Sequence, residues 1–133
     1  MSALVTDTHA VIWYLLNQKA LSETARDAFE RAASNGVPVY LPTISLVEIC
    51  YLVEKGRLSA VALERVNKAL NLPNAALVAV PLTLDIARVL SQVPRESVPD
   101  MPDRIIAATA LHLNLPLITR DRKIRASNIQ SIW

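Results

Sequence analysis

Short apolar runs alternate along the chain with longer stretches of helical period. Ala3-Leu4-Val5-Thr6 is apolar and β-compatible and predicts a buried first strand. His9 to Leu16 predicts a helix. Ser22 before Glu23-Thr24-Ala25 is a good N-cap for a second helix, which Asn35-Gly36 ends. Val37 to Leu41 predicts a second strand. Ser45-Leu46-Val47-Glu48 has the S-x-x-E spacing of a capping box, which places Glu48 in the first turn of a third helix ending at Gly56. Ser59 caps a fourth helix that runs to about Leu70, ahead of Pro73. Ala76 to Val80 predicts a third strand and Leu82 to Gln92 a helix. Residues 93–102 carry Pro94, Pro99 and Pro102 and predict a loop, the best candidate for a mobile lid. Asp103 to Leu113 predicts a helix, Pro116 to Thr119 a fourth strand, Asp121 to Ala126 a short helix and Ile129 to Trp133 a last edge strand.

Strands that alternate with helices imply β-α units and an α/β fold with a mainly parallel sheet. At 133 residues, with no repeat and no linker, residues 1–133 read as a single domain. In such a sheet the strand-to-helix turns share one edge, where ligands bind. An apolar content of 52% and a mean hydropathy of +0.28 supply a core and leave apolar surface for a partner or a second copy to cover. Cys50 is the only cysteine, so an internal disulfide and a cysteine zinc site are excluded, and a reducing cytoplasm is expected. Asp7 interrupts the N-terminal apolar stretch with no basic segment before it, so no signal peptide is expected, and no run is long enough to span a bilayer. Gly36 and Gly56 are the only glycines, which removes phosphate-cradling glycine loops.

Four acids change the picture. Asp7, Glu48, Asp103 and Asp121 each sit where an apolar run gives way to a helical segment. Each alone reads well as a helix cap, a structural device worth about 1 kcal/mol. Together, on one sheet edge, they would repel unless a cation neutralised them, and carboxylate oxygens suit Mg²⁺ or Mn²⁺. That is the chemistry of metal-assisted phosphodiester hydrolysis. Arg104 beside Asp103, and Arg120, Arg122, Lys123 and Arg125 around Asp121, suit a polyanion whose scissile group sits on the metal; the alternative is a solvated charged turn. Thr8 and Thr119 neighbour acids and could orient them, or serve as ordinary turn hydroxyls. Asp100 reads as a loop residue, with a peripheral place near the metal as the alternative. His9 and His112 have no ligand spacing. Trp13 and Tyr14 read as core residues rather than base-stacking platforms, and Glu23, Asp27 and Glu30 as a solvated helix face.

Four stretches carry a resemblance that spans the chain: Leu4-Val5-Thr6-Asp7-Thr8-His9-Ala10-Val11-Ile12-Trp13, Ser45-Leu46-Val47-Glu48-Ile49, Pro102-Asp103-Arg104-Ile105-Ile106-Ala107-Ala108-Thr109-Ala110 and Leu117-Ile118-Thr119-Arg120-Asp121. In this order they resemble the PIN-domain nucleases, and among them the VapC toxins of toxin–antitoxin pairs. The resemblance implies a three-layer sandwich with a central parallel sheet, and a Mg²⁺- or Mn²⁺-dependent endoribonuclease whose acidic metal site is Asp7, Glu48, Asp103 and Asp121. It also implies a homodimer and a VapB-type antitoxin that blocks the site. A contrasting expectation is a PIN-like module that binds RNA or protein without cutting. A receiver domain fits poorly because Thr8 and His9 follow Asp7 where a second acid is needed, and a haloacid-dehalogenase-type phosphatase because position 9 is His.

Overall fold

A computed structural model describes residues 3–74 and 76–133; Met1, Ser2 and Ala75 of the expected 1–133 domain lie outside the described residues. The strands are β1 Leu4–Thr6, β2 Val39–Pro42, β3 Leu77–Val80, β4 Leu117–Ile118 and β5 Ser131–Ile132. The helices are α1 Thr8–Leu15, α2 Glu23–Ser34, α3 Thr43–Glu54, α4 Ala60–Asn71, α5 Leu84–Val89, α6 Met101–Leu113 and α7 Arg122–Arg125, with a 3-10 turn over Leu90–Gln92.

Local chemistry sets most of these boundaries. The carboxylate of Asp7 accepts from the Ala10 amide at 2.9 Å and starts α1. Hydroxyls of Ser22 and Ser59 do the same for α2 and α4. Thr83 accepts from Ile86 N–H at 3.2 Å, so α5 begins at Leu84 rather than at Leu82. Gly36 and Gly56 take φ of +64° and +71° just past α2 and α3, a backbone conformation that costs glycine least.

Two further helix starts differ from expectation. The third helix begins at Thr43, directly after β2, with Pro42 at its N-cap and no side-chain cap. Ser45 is therefore inside the helix and Glu48 lies beyond its first turn; there is no capping box. The sixth helix begins at Met101, capped by Asp100, with Pro102 in its first turn, where a missing N–H leaves no bond unmade. Asp103 is thus a first-turn residue and not the cap.

The sheet order is β3-β2-β1-β4-β5, and all four described pairings are parallel. Side chains alternate across it as the period of two demands. Leu4, Val39, Leu41, Leu77 and Ile118 face one core with Val11 of α1, Phe29 of α2 and Val66 of α4. Val5, Leu117 and Tyr40 face the other with Ile86 of α5, Ile106 of α6 and Ile124 of α7. The result is a three-layer sandwich. Residues 93–98 are pinned to it: Val93 and Val98 are 1% exposed, and Arg104 Nε donates to the Val93 carbonyl at 2.9 Å.

From β1 the chain moves outward through β2 to β3, then returns to the opposite side of β1 as β4. The order reverses between β1 and β4. A crevice opens there at the carboxyl ends of the strands, the usual ligand position in such sheets.

Candidate metal centre

The crevice is a cavity of about 380 Å³ lined by Asp7, His9, Trp13, Glu48, Asp100, Asp103, Arg120 and Asp121. Asp7 enters from the end of β1, with its amide bonded to the Ile118 carbonyl of β4 at 3.1 Å. Asp121 follows β4 and caps α7, accepting from Lys123 N–H at 2.9 Å. Glu48 comes from α3 and Asp103 from the N-terminal turn of α6. All four acids expected from the sequence meet in one place, and Asp100 joins them.

Asp100, expected in the loop with a peripheral place near the metal as the alternative, caps α6 and lines the cavity. Its spacing did carry a signal: an acid three residues before Asp103, with Pro102 between, is a helix-start pattern. Capping holds its carboxylate beside the other acids. Glu48, Asp100 and Asp103 each offer an oxygen, and these oxygens lie within 4.8 Å of one another.

Buried hydroxyls hold the carboxylates. The Thr8 hydroxyl bonds Glu48 Oε1 at 2.5 Å and the Ser45 hydroxyl at 3.0 Å, tying α1 to α3. The Thr119 oxygen accepts from Asp121 N–H at 3.0 Å, while its hydroxyl bonds the Asp7 carboxylate. Thr8 is 2% and Thr119 0% exposed, so both are fixed by the core around them.

The electrostatics are those of an unneutralised anion cluster. Burial pushes the Asp103 carboxyl up to about 7, and the charges of Asp100, Glu48, Asp121 and Asp7 push the same way. Asp7 is also raised, first by burial and then by Glu48, against the hydrogen bonds from Thr119 and Ala10 and the pull of His9. A divalent cation would remove both penalties. The all-oxygen donor set fits a hard ion such as Mg²⁺ or Mn²⁺, so the residues present suit the metal that the resemblance implies.

The cations divide. Arg120 lines the cavity, with its guanidinium carbon 4.6 Å from the centre of the Trp13 ring. Arg104 spends its Nε on the Val93 carbonyl and does not line the cavity. Arg122 and Arg125 line a separate shallow surface with Ala126 and Ser131. Lys123 is exposed on α7 and meets Asp121 through its backbone amide. Trp13 and Tyr14 both pack against the core as expected, Tyr14 stacked on Phe29 at 4.4 Å, and Trp13, half-buried, also lines the cavity wall. His9 also lines the cavity, and His112 lies exposed on α6.

Among known proteins, the chain is 28% identical over 126 residues to ribonuclease VapC22 of Mycobacterium tuberculosis, covering 95% of this chain and 92% of that protein. It superposes on a chain of VapBC2 from Rickettsia felis, solved with a promoter DNA fragment, with a TM-score of 0.71 at 17% identity, covering 97% of this chain and 96% of that one. A chain of DNA-bound VapBC from Salmonella typhimurium gives 0.68 at 21% identity, covering 98% and 97%. Those likenesses establish the fold. The PIN-domain family model matches residues 4–128, a span that takes in every acid of the crevice, and the chain therefore belongs to the PIN-domain family.

Proposed function

We propose that residues 1–133 act as one PIN domain and as the toxin of a VapBC-type pair: a Mg²⁺- or Mn²⁺-dependent endoribonuclease held silent by a VapB-type antitoxin. The carrying observation is the position of Asp103, raised to about 7 inside a cleft shared with four more carboxylates. So costly a cluster has a purpose when a cation and a phosphodiester occupy it. The likeness to a ribonuclease, VapC22, supports RNA as substrate, and the VapBC assemblies support an antitoxin partner. An RNA substrate also argues for a cytoplasmic site of action. The exposed apolar side chains of Val47, Tyr51, Leu84 and Met101 favour a covered face, as a homodimer would provide. No helix of the described residues is long and apolar enough to cross a membrane.

Glu48, Asp103 and Asp100 would hold the metal, with Asp7 and Asp121 completing the acidic set. A bound divalent ion supplies charge neutralisation at the phosphate and acidifies a water molecule. The chain does the rest. Thr8 fixes the rotamer of Glu48, and Thr119 spaces Asp7 from Asp121. Arg120 stands at the wall to receive an anionic flanking group.

The test is cleavage of a total RNA pool by the partner-free protein. Mg²⁺ or Mn²⁺ is compared with a chelator, and the wild type with Asp7→Asn. Discrete fragments that need both metal and Asp7 are expected. RNA bound but never cut, with no metal bound at the acids, would replace this reading with that of a silent binding module.

A further inference from the structure

Arg120 lies in a cavity with five carboxylates and forms no ion pair with any of them among the described residues. It rests instead on Trp13, 4.6 Å from the ring centre. Trp13 is itself braced: the Trp133 ring meets it edge-on at 6.0 Å, and the His9 ring lies tilted at 5.6 Å. A free arginine at such a wall would be drawn to the acids by Coulomb attraction. Here an aromatic face holds it off them. A guanidinium laid on an indole keeps its opposite face and its edge donors for a ligand. Arg120 is exposed, so that face meets solvent rather than core.

Flat cationic and aromatic surfaces beside a phosphodiester site match one chemistry in particular. Unpaired bases stack on aromatic rings and on guanidinium planes, and phosphates accept from guanidinium edges. We propose that Trp13 and Arg120 form a nucleobase subsite next to the acidic centre. The base flanking the scissile phosphodiester stacks on the Arg120 guanidinium, and Trp13 acts as the positioning residue that holds that plane. This rests on the reading of the cleft as a ribonuclease site. It adds that the flanking nucleotide must be unstacked from its neighbours, and that the subsite contributes to the choice of cut.

The test uses full-length protein and a single-stranded RNA that contains the mapped cut. An abasic residue is placed at each nucleotide beside it in turn. One abasic position should lower the wild-type kcat/KM by on the order of tenfold to a hundredfold. Arg120→Ala and Trp13→Leu should lower it similarly on intact RNA and then show little further loss on the abasic one. Trp13→Phe, which keeps an aromatic face, should recover most of the activity. Losses that multiply, or variants that cut like the wild type, overturn the subsite. Arg120→Ala changes an exposed residue and keeps the test sound if Trp13→Leu folds poorly. Should the wild type cut no RNA, the nuclease reading fails separately. Binding of 2-aminopurine-labelled RNA then decides: quenching that Arg120→Ala abolishes supports the subsite, and unchanged fluorescence overturns it.

Discussion

Asp100 caps the helix on which Asp103 sits, accepting the Asp103 amide at 3.2 Å and so holding one carboxylate beside the other. The bond favours the helix while the two charges disfavour each other. Burial first, and then the charge of Asp100, raise Asp103 from 3.8 to about 7. For an acid whose folded pKa is raised, the folded state binds the proton more tightly than the unfolded chain does. The metal-free protein should therefore lose stability as pH rises from about 4 to about 7, with no further loss from this group above that range. Thermal unfolding in chelator across this range checks the slope, and Asp103→Asn should flatten it. A wild-type Tm that climbs through the window would contradict the assignment.

Addition of Mn²⁺ should reverse the penalty. At a concentration about a hundred times its Kd, a single bound ion stabilises the fold by about 2.7 kcal/mol. The shift should be largest near pH 7 and above, where Asp103 is ionised, and should vanish in Glu48→Gln and Asp103→Asn. Thermal shift with and without metal measures it.

Asp7 separates capping from catalysis. Its carboxylate caps α1 through Ala10, and asparagine caps as well as aspartate. Asp7→Asn should thus keep or raise the Tm of the metal-free protein and abolish cleavage. Asp7→Ala should abolish cleavage and also cost about 0.5–2 kcal/mol through the lost cap. Urea unfolding of the two variants tells them apart. Equal destabilisation by both would leave Asp7 a structural residue.

Thr119 links Asp7 to Asp121 from a fully buried position. Thr119→Val preserves its shape and removes the hydroxyl. Cleavage should fall by roughly 10- to 100-fold, the usual effect of losing an outer hydrogen bond to a metal ligand. Steady-state rates at saturating Mn²⁺, beside a Tm, distinguish this from unfolding.

Arg104 and Arg120 should behave differently toward RNA. Arg104 is bonded to the Val93 carbonyl and Arg120 lines the cleft. Arg120→Gln should reduce the dependence of log affinity on log salt by about one phosphate's worth, whereas Arg104→Gln should leave that slope unchanged and lower stability. Binding titrations at several salt concentrations decide between them.

Much of the molecule follows from residues that lie close together in the sequence. The caps at Asp7, Ser22, Ser59 and Asp121 act within three residues, so the starts of α1, α2, α4 and α7 were legible. So was the parallel sheet, from the alternation of apolar runs and helical stretches, and with it the convergence of four acids on one edge. Where two local patterns competed, the sequence was ambiguous. Ser45 and Glu48 have capping-box spacing, yet β2 runs straight into α3, and Ser45 is buried against Thr8 from another helix. Asp100 was hidden because its loop ends two residues before Asp103, where α6 begins. The pairing of Arg120 with Trp13, and the withdrawal of Arg104 to the Val93 carbonyl, depend on how β4, α1 and the 93–98 segment pack. Hydrogen-bond spacing along a chain is a local quantity. Which charge faces which across a crevice is set only when helices far apart in sequence are laid on the same sheet.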